Sequence, residues 1–366
     1  MAERFYIDYL VTCYQGETIM DKALGIALEQ SVELPQHLIS ADIQKEFTGQ
    51  VEKIESSERH HLVTISFPIQ LLADNRTQFL NVLLGNISLK PGIQVIEADW
   101  DRIEDLFPGP KFGIDGIRAN MGIKERALSC TALKPVGSST ESFAEMTYQF
   151  ASGGIDIIKD DHGVGNQHTS PLYERMEACV QATETAAEKT GKKAEYLPNI
   201  TDRPDLMFDH FRKAEDSGAG GVLVCPHLCG LETMAQLAES DVHLPIMAHP
   251  AFSGTYVQKE QGFSHSFLFG TLWRAFGADF SIYPNAGGRF SFSEAACEGI
   301  NQACHDPLTP FPRIFPTPGG GLKRETISKW LNAYGNDIVF LIGASLYDHP
   351  EGIAVASGEI YSTLLS

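Results

Sequence analysis

Short apolar runs alternate with longer amphipathic stretches through the last two-thirds of the sequence. Each apolar run has the length of a strand, and the stretch behind it carries apolar residues at helical spacing. The predicted strands are 129–134, 155–159, 194–199, 220–225, 244–249, 279–283, 314–318 and 338–343. The predicted helices that follow them are 139–151, 171–190, 204–217, 231–239, 264–276, 293–304, 324–333 and 351–364. Strands that alternate with crossover helices form a parallel sheet, and eight such units predict an α/β fold of the (β/α)8 TIM-barrel type.

The main alternative to a barrel is an open, doubly wound sheet. Such a sheet carries a glycine-rich fingerprint after its first strand, where a helix N-terminus binds a pyrophosphate. No G-x-G-x-x-G motif follows Lys134, the last residue of the first predicted strand. The missing fingerprint favours the barrel.

The first 115 residues follow a different pattern. Their strand-like and helix-like segments are 5–13, 19–30, 49–54, 61–68 and 74–84. The order strand-helix-strand-strand-helix-strand predicts a small α+β sandwich of the ferredoxin-like kind. A segment rich in Pro and Gly at 107–113 is typical of a linker. We therefore predict an N-terminal domain over 1–115 and a barrel domain over 116–366.

The composition narrows the class of protein. The 366 residues include 28 Lys and Arg against 47 Asp and Glu, which gives a formal net charge of −19. Such a surface repels phosphate backbones, and no run of Lys and Arg offsets it, so nucleic acid is not an expected partner. No stretch reaches the ~18 apolar residues that cross a bilayer, and the N-terminus is too polar for a signal peptide. Without a CxxC pair, the seven cysteines are expected to be free thiols in a cytoplasmic protein that binds no membrane.

Barrel enzymes carry their chemistry at the carboxyl ends of the strands. The residues at or just beyond the predicted ends form a polar, ionisable set, from which we expect the active site to be built. They are Lys134, Lys159, Asp160, Asp161, His162, Asn199, Cys225, His227, His249, Tyr283, Asn285, Gly319, Gly320, Gly321, Gly343, Ala344 and Ser345.

The run from Lys159 to His162 is the strongest local signal in the sequence. Alternate residues of an extended chain share a face, so Lys159 and Asp161 are expected to point together into the barrel mouth. A hard divalent cation such as Mg²⁺ takes oxygen ligands, which Asp161 supplies, and His162 adds a nitrogen. The alternative is a solvated charged loop ahead of a helix. The glycine-rich sequence that follows is not a simple helix start, which favours the metal site.

Other strand ends suggest acid–base chemistry and anion binding. A lysine in a desolvated mouth beside another cation has a lowered pKa and shuttles protons, so Lys134 is either such a group or an ordinary loop lysine. His249 and Asn199 are each either a ligand contact or a structural residue. Small residues in two loops let backbone N–H groups converge on a phosphate. These loop residues are Gly319, Gly320, Gly321, Gly343, Ala344 and Ser345.

The segment 153–167 resembles the activation segment of the ribulose bisphosphate carboxylase (RuBisCO) large-subunit superfamily, which reads G-G-D-x-x-K-x-D-E and continues to N-Q. Lys134 and Pro135 resemble its first-strand K-P-K motif, and the likeness extends from about residue 5 to residue 360. It implies an α+β domain, a (β/α)8 barrel and a homodimer with active sites at the subunit interface. Glu29 and Asn86 match segments that bind substrate in the partner subunit's site.

The resemblance implies Mg²⁺ as a cofactor, held by a carbamylated Lys159 and by Asp161. His162 stands where the superfamily has a third ligand, a glutamate, so its role as a ligand stays open. Members of the superfamily bind two phosphates, each at its own site. The glycine loops of one site are present here, but the His-Arg pair of the other site is replaced by His249-Pro250. Loss of that arginine removes phosphate donors. The implied substrate is therefore a sugar monophosphate with one apolar end.

Within the superfamily, this profile resembles the RuBisCO-like proteins of methionine salvage. It implies an isomerase that converts 5-methylthioribulose-1-phosphate to 1-methylthioxylulose-5-phosphate and its ribulose epimer, through an enediolate and a net 1,3-proton shift. Lys134, Lys159 and His249 would be catalytic, and Asn199 would orient the sugar hydroxyls. The alternatives are a decarboxylase or related enzyme on a 3-oxo-acid sugar phosphate, an enolase acting on 2,3-diketo-5-methylthiopentyl-1-phosphate, and a regulatory paralogue that only binds a metabolite.

Overall fold

The structure of the protein is a computed structural model, and it describes residues 3–290, 292–307 and 309–365. The chain divides into two units. The first consists mainly of the chain up to Phe107 together with Ser253–Leu268. The second contains Pro108–Phe252, Phe269–Pro307 and the chain from Phe311 onward. A segment from the middle of the chain thus belongs to the N-terminal unit, which the sequence pattern does not predict.

The strands and helices follow one another in the order that the apolar pattern predicts. The strands are β1 (Arg4–Thr12), β2 (Gln50–Ser56), β3 (His60–Pro68), β4 (Ile93–Ala98), β5 (Leu128–Leu133), β6 (Ile157–Asp160), β7 (Glu195–Leu197), β8 (Val222–Val224), β9 (Ile246–Ala248), β10 (Val257–Gln258), β11 (Gln261–Phe263), β12 (Phe280–Pro284), β13 (Phe315–Gly319) and β14 (Val339–Leu341). The α-helices are α1 (Ile19–Glu29), α2 (Ala41–Phe47), α3 (Arg76–Leu84), α4 (Gly113–Met121), α5 (Thr140–Gly153), α6 (Leu172–Thr190), α7 (Pro204–Asp216), α8 (Pro226–Cys229), α9 (Leu231–Glu239), α10 (Trp273–Ala275), α11 (Glu294–His305), α12 (Ile327–Tyr334), α13 (Ala344–Tyr347) and α14 (Ile353–Leu365). Within the described part of the chain, none of the helices combines the length and the apolar character needed to cross a bilayer.

The first unit is built on one sheet with the strand order β10-β11-β4-β1-β3-β2. Neighbouring strands are antiparallel except β11 and β4, which run parallel. Alternate residues of β1, such as Phe5 and Ile7, are fully buried, as expected for a sheet with one covered face. Phe79 of α3 contacts Phe5 on that face. The α+β sheet domain is confirmed, while α2 and the pair β10–β11 are additions to it.

The second unit is a barrel of eight parallel strands in the order β7-β6-β5-β14-β13-β12-β9-β8. A parallel bridge between Asn199 and Leu223 joins the two ends of this order, so the sheet is nearly closed. All six residues of β5 are buried, Ser129 and Thr131 included, as expected for a barrel strand that is covered on both faces. Leu128, Ile157 and Leu223 are among the residues that fill the interior. The predicted (β/α)8 barrel is confirmed.

The predicted helix over 264–276 is the largest departure from the expected helices. The structure has a π-helical segment at Phe267–Leu272, followed by the short helix α10. Gly270 allows a very close approach to α11, because a Cβ added there would lie 2.3 Å from the Cβ of Ala303. Every residue from Phe267 to Ala275 is buried, so packing on all sides outweighs the helical period of the sequence.

The Pro- and Gly-rich segment 107–113, predicted to be a linker, is packed from Pro108 onward into the second unit. The backbone N–H groups of Phe112 and Gly113 both donate to Oδ1 of the buried Asp279 at 2.8 Å. Helix α4 begins at Gly113, and its Ile114 and Ile117 pack in the barrel core. The segment therefore forms part of the barrel floor.

Candidate active site

Four predicted site residues meet at the carboxyl ends of three barrel strands. Lys134 follows β5, Asp161 and His162 follow β6, and His249 follows β9. The Nζ atom of Lys134 lies 2.8 Å from Oδ1 of Asp161, and Nδ1 of His162 lies 3.5 Å from Oδ2. The rings of His162 and His249 stack with centroids 4.4 Å apart and planes 17° from parallel. We call Lys134, Asp161, His162 and His249 the mouth cluster.

The Asp161 carboxylate is the anionic centre of the mouth cluster. Its side chain is 16% exposed. Burial on its own would raise the pKa of Asp161, but hydrogen bonds from His162 and Lys134 and the charge of Lys159 hold it well below its usual range. Asp161 is therefore an ionised carboxylate surrounded by donors.

Lys159 lies beneath this cluster, inside the barrel. Its side chain is almost fully buried, and Nζ donates to the backbone carbonyl of Asp160 at 3.1 Å. Burial lowers the pKa of Lys159 because the ammonium form loses its hydration. A larger share of neutral amine results, which is the form of a lysine that reacts with electrophiles.

His249 is held in one tautomer when it is neutral. Its Nδ1 accepts a hydrogen bond from the backbone N–H of Ala251 at 3.1 Å, so the ring proton lies on Nε2. Burial, together with the positive charges of Lys159 and His162, lowers the pKa of His249 well below its usual value. The ring therefore offers a neutral N–H donor beside His162.

Asp160 and its neighbour Asp161 have different roles. The sequence does not reveal this difference. Asp160 is fully buried and accepts hydrogen bonds from Tyr196 Oη at 2.8 Å and from Arg175 Nε at 3.1 Å. Arg175 also donates to the backbone carbonyls of Ser170 and Gly165. The buried Asp160–Arg175 pair thus fixes the loop after β6, which begins with Asp161 and His162.

Asn199, predicted to orient a ligand, is used to hold the same loop. Its side chain is 2% exposed, and Nδ2 donates to the carbonyls of His162 at 3.0 Å and Val164 at 3.1 Å. Its Oδ1 accepts from the backbone N–H of Thr201 at 3.1 Å. These contacts make Asn199 a positioning residue for His162, while its contact with a substrate stays a prediction.

We expect Asn199→Ala to destabilise the protein by about 1–3 kcal/mol, because it takes the donor away from one buried and one partly buried carbonyl. It should also lower kcat, since the loop that carries His162 loses its anchor. Urea unfolding and steady-state kinetics measure the two effects. Asn120→Ala, at an exposed position of α4, is the matched control and should change neither. An unchanged unfolding free energy for Asn199→Ala would contradict the anchoring role.

Tyr347 is a site residue that the sequence analysis missed. Its hydroxyl donates to the carbonyl of Ala132 at 2.8 Å and accepts from the backbone N–H of Lys134 at 3.0 Å. It therefore fixes the end of β5, from which the Lys134 side chain reaches Asp161. A tyrosine two residues after the predicted loop Gly343–Ser345 carries no local signal of this role.

The two predicted phosphate loops lie at the ends of neighbouring strands, β13 and β14. Gly320 and Gly321 have φ angles of +75° and +85°, which non-glycine residues rarely adopt. No atom lies within 4 Å of a Cβ added at Gly320 or Gly343, so the space beside both loops is open. The buried hydroxyl of Ser345 has no hydrogen-bond partner among the described residues. The space beside the loops therefore leaves room for an anion.

Glu29 and Asn86 lie in the first unit and contact each other. Asn86 Nδ2 donates to Oε1 of Glu29 at 3.1 Å at the exposed surface of that unit. Asn86 directly follows α3 and Gly85, and Glu29 is the last residue of α1. Their predicted contribution to the site of a second subunit stays a prediction.

The residues at the mouth fit a divalent cation only in combination with Lys159. Among the described residues, no group of three or more His, Cys, Asp and Glu side chains is placed to hold a metal ion. Asp161 already binds one cation, the ammonium group of Lys134 at 2.8 Å, and His162 lies beside it. A third ligand is needed from Lys159, which binds a cation only when it carries a carboxylate such as a carbamate.

Eight parallel strands with ionisable groups gathered at their carboxyl ends define a TIM-barrel protein with an enzyme-like site. Residues 113–361 match the family described as ribulose bisphosphate carboxylase large chain, catalytic domain. This protein belongs to that family. The resemblance seen in its sequence is confirmed.

Individual relatives match along nearly the whole chain. The crystal structure of a Rubisco-like protein from Rhodopseudomonas palustris superposes with a TM-score of 0.89 at 33% identity, covering 100% of this chain and 98% of that one. The 5-methylthioribulose-1-phosphate isomerase of Rhodospirillum rubrum is 32% identical over 95% of this chain and 92% of its own. The 2,3-diketo-5-methylthiopentyl-1-phosphate enolase of Bacillus pumilus is also 32% identical, over 98% and 91%. Both named enzymes are thus equally similar to this chain in identity.

Proposed function

We propose that this protein is an isomerase of a methylthio-pentulose monophosphate. The reaction would convert 5-methylthioribulose-1-phosphate to 1-methylthioxylulose-5-phosphate and its ribulose epimer. The observation that carries the proposal is the mouth cluster, in which an amine, a carboxylate and two imidazoles are joined by a series of contacts, each to the next. Such groups move protons, and an isomerisation consists of proton transfers alone.

The chemistry needs two successive 1,2-proton transfers along the sugar. In the first, the proton on C3 leaves and C2 receives one, so that the carbonyl moves from C2 to C3 through an enediolate. In the second, the proton on C4 leaves and C3 receives one, which brings the carbonyl to C4. Renumbering from the methylthio end gives a 1-methylthio-2-ketose with its phosphate on C5. Every atom is conserved and no electron acceptor is required.

In this proposal each member of the mouth cluster has a stated task. The Lys134 amine accepts the proton that leaves carbon, and the resulting ammonium stabilises the enediolate oxygen and returns a proton to the neighbouring carbon, while Asp161 holds Lys134 in place. The Nε2–H of His249 donates to a sugar hydroxyl. A Mg²⁺ ion held by Asp161, His162 and a carbamylated Lys159 would, when bound, polarise the substrate carbonyl.

Substrate orientation would come from the two phosphate loops. The open space beside Gly320 and Gly343 and the unused hydroxyl of Ser345 suit the single phosphate group. A phosphate oxygen would satisfy that hydroxyl, whose burial without a partner is otherwise unfavourable. The other end of the substrate would then lie towards the mouth cluster.

We further propose that two copies of the chain form a dimer, in which Glu29 and Asn86 of one copy complete the site of the other. The helix that carries Glu29 exposes apolar side chains, with Met20 53% and Leu24 45% exposed in the single chain. Exposed apolar patches of this kind mark protein interfaces. Sedimentation of the protein, with Leu24→Lys as the disrupting variant, tests this arrangement.

Enolisation of a diketo substrate is the second candidate, because the Bacillus pumilus relative carries that name. His162 in place of the superfamily glutamate favours the isomerase. Proton NMR in D₂O separates the two reactions. We expect 5-methylthioribulose-1-phosphate to disappear, with deuterium entering the product at the carbons that exchange. No change with this substrate, but turnover of the diketo compound, would replace the isomerase by the enolase; inertness to both would favour the oxo-acid enzymes or a binding protein.

A further inference from the structure

The loop after β12 is attached to the glycine loop after β13 by a backbone-to-backbone contact. A Cβ added at Gly288 would lie 2.6 Å from the carbonyl oxygen of Gly320 and 3.2 Å from the nitrogen of Gly321. Conversely, a Cβ added at Gly321 would lie 2.5 Å from Cα of Gly288. Real Cβ atoms do not approach other atoms so closely, so both positions require glycine for steric reasons.

The start of this loop is fixed by a buried amide. Asn285 is fully buried, and its backbone N–H donates to the carbonyl of Gly319 at 2.9 Å, which extends the pairing of β12 and β13 by one residue. Its Oδ1 accepts a hydrogen bond from Tyr334 Oη at 2.9 Å. Tyr334 ends α12 and stacks on Trp330 with ring centroids 5.1 Å apart. The loop is thus tied to a helix at one point and to the glycine loop at another.

These contacts favour a loop that is fixed rather than one that opens and closes. Three features act together: the buried Asn285, its bond to Tyr334 and the steric contact at Gly288. Because three consecutive glycines, Gly319 to Gly321, lack side chains, the glycine loop is flexible in the unfolded chain and costs entropy to order. The loop after β12, which contacts the glycine loop directly at Gly288, holds the glycine loop in one conformation.

We propose that Asn285, Gly288 and Tyr334 are positioning residues that hold the backbone N–H groups of Gly320 and Gly321 in the geometry that binds a phosphate. The proposal rests on the proposed function, since it assigns a phosphate to that glycine loop. None of the three residues touches the reacting carbons. Their effect is on the affinity for the anion, through the position of the loop.

Binding of inorganic phosphate to the full-length protein, measured by calorimetry, tests the proposal directly. Gly288→Ala should weaken phosphate binding about 10- to 100-fold. The added Cβ pushes the glycine loop out of position, so that its N–H groups no longer point correctly at the anion. Tyr334→Phe removes only the hydroxyl that holds Asn285, and should weaken binding about 3- to 10-fold. Gly254→Ala is the matched control, since a Cβ there meets no atom within 4 Å, and its affinity should equal that of the parent protein.

Kinetics with the sugar monophosphate supply a readout that general destabilisation does not produce. For Tyr334→Phe we expect KM to rise while kcat at saturation stays within about twofold of the parent value. This variant also covers the case in which Gly288→Ala fails to fold.

The outcomes separate the two proposals. If the parent protein binds phosphate and both variants bind it equally tightly, the positioning role is wrong and the phosphate site stands. If the parent protein binds no phosphate, the assignment of the glycine loops to an anion is wrong, and the positioning role is overturned with it.

Discussion

Lys134→Ala should lower kcat by about 10²- to 10⁴-fold, the range typical for loss of a positioned proton-transfer group. The Lys134 ammonium binds Asp161, and 44% of its side chain is exposed. Its removal takes away both the proton donor and the charge that stabilises the enediolate. Because Asp161 is its ion-pair partner and the side chain is partly solvated, the fold should be retained. NMR assays of product formation measure the effect.

The control for this variant is Lys124→Ala. Lys124 is exposed between α4 and β5, at the opposite end of the barrel, so its removal changes the net charge by the same amount without touching the mouth cluster. Its kcat should equal that of the parent protein. Near-normal turnover by Lys134→Ala, with an intact thermal transition, would remove Lys134 from the mechanism.

Asp160→Ala should lower the free energy of unfolding by about 3–5 kcal/mol. Both side chains of the Asp160–Arg175 pair are 0% exposed, so the variant leaves a guanidinium group buried without a counter-charge. The large effect therefore reflects the stranded charge rather than the strength of the pair. Denaturant unfolding followed by circular dichroism gives the value.

Two further variants locate the origin of that loss. Arg203→Ala breaks an exposed pair, in which Arg203 and Asp205 are 70% and 66% exposed, and should cost no more than about 1 kcal/mol. The double variant Asp160→Ala, Arg175→Met removes both buried charges and should recover part of the stability. If the double variant is less stable than Asp160→Ala alone, the stranded guanidinium is not the cause.

Much of the fold follows from local patterns in the sequence. Helix α9 has the predicted bounds 231–239, and Gly230 and Ser240 flank it in the structure. All eight predicted barrel strands overlap observed ones, since their residues are buried on both faces. By contrast, β10 and β11 are two and three residues long and include Gln258 and Gln261. Nothing local marks them as strands, because their partner β4 lies far away in the sequence.

The sequence predicts which residues form the candidate site. It does not predict all of the contacts that those residues make. Position at strand ends selected Lys134, Asp161, His162 and His249, which the structure brings together. It did not distinguish Asp161, at the mouth, from Asp160, whose carboxylate faces Arg175. Successive side chains leave a strand on opposite sides, so Asp160 and Asp161 face different surroundings. The partner of Asp160 is Arg175 of α6, fifteen residues further along the chain.

The return of residues 257–263 to the N-terminal sheet has a consequence for biosynthesis. Strand β4 is paired on one side by β1 and on the other by β11, and Gln94 donates to the carbonyl of Phe263, 169 residues later. An emerging chain therefore carries an open sheet edge during the synthesis of half of its barrel, and such edges are sites of mispairing between chains. The nascent N-terminal unit is thus expected to be the segment of this protein that most needs a chaperone.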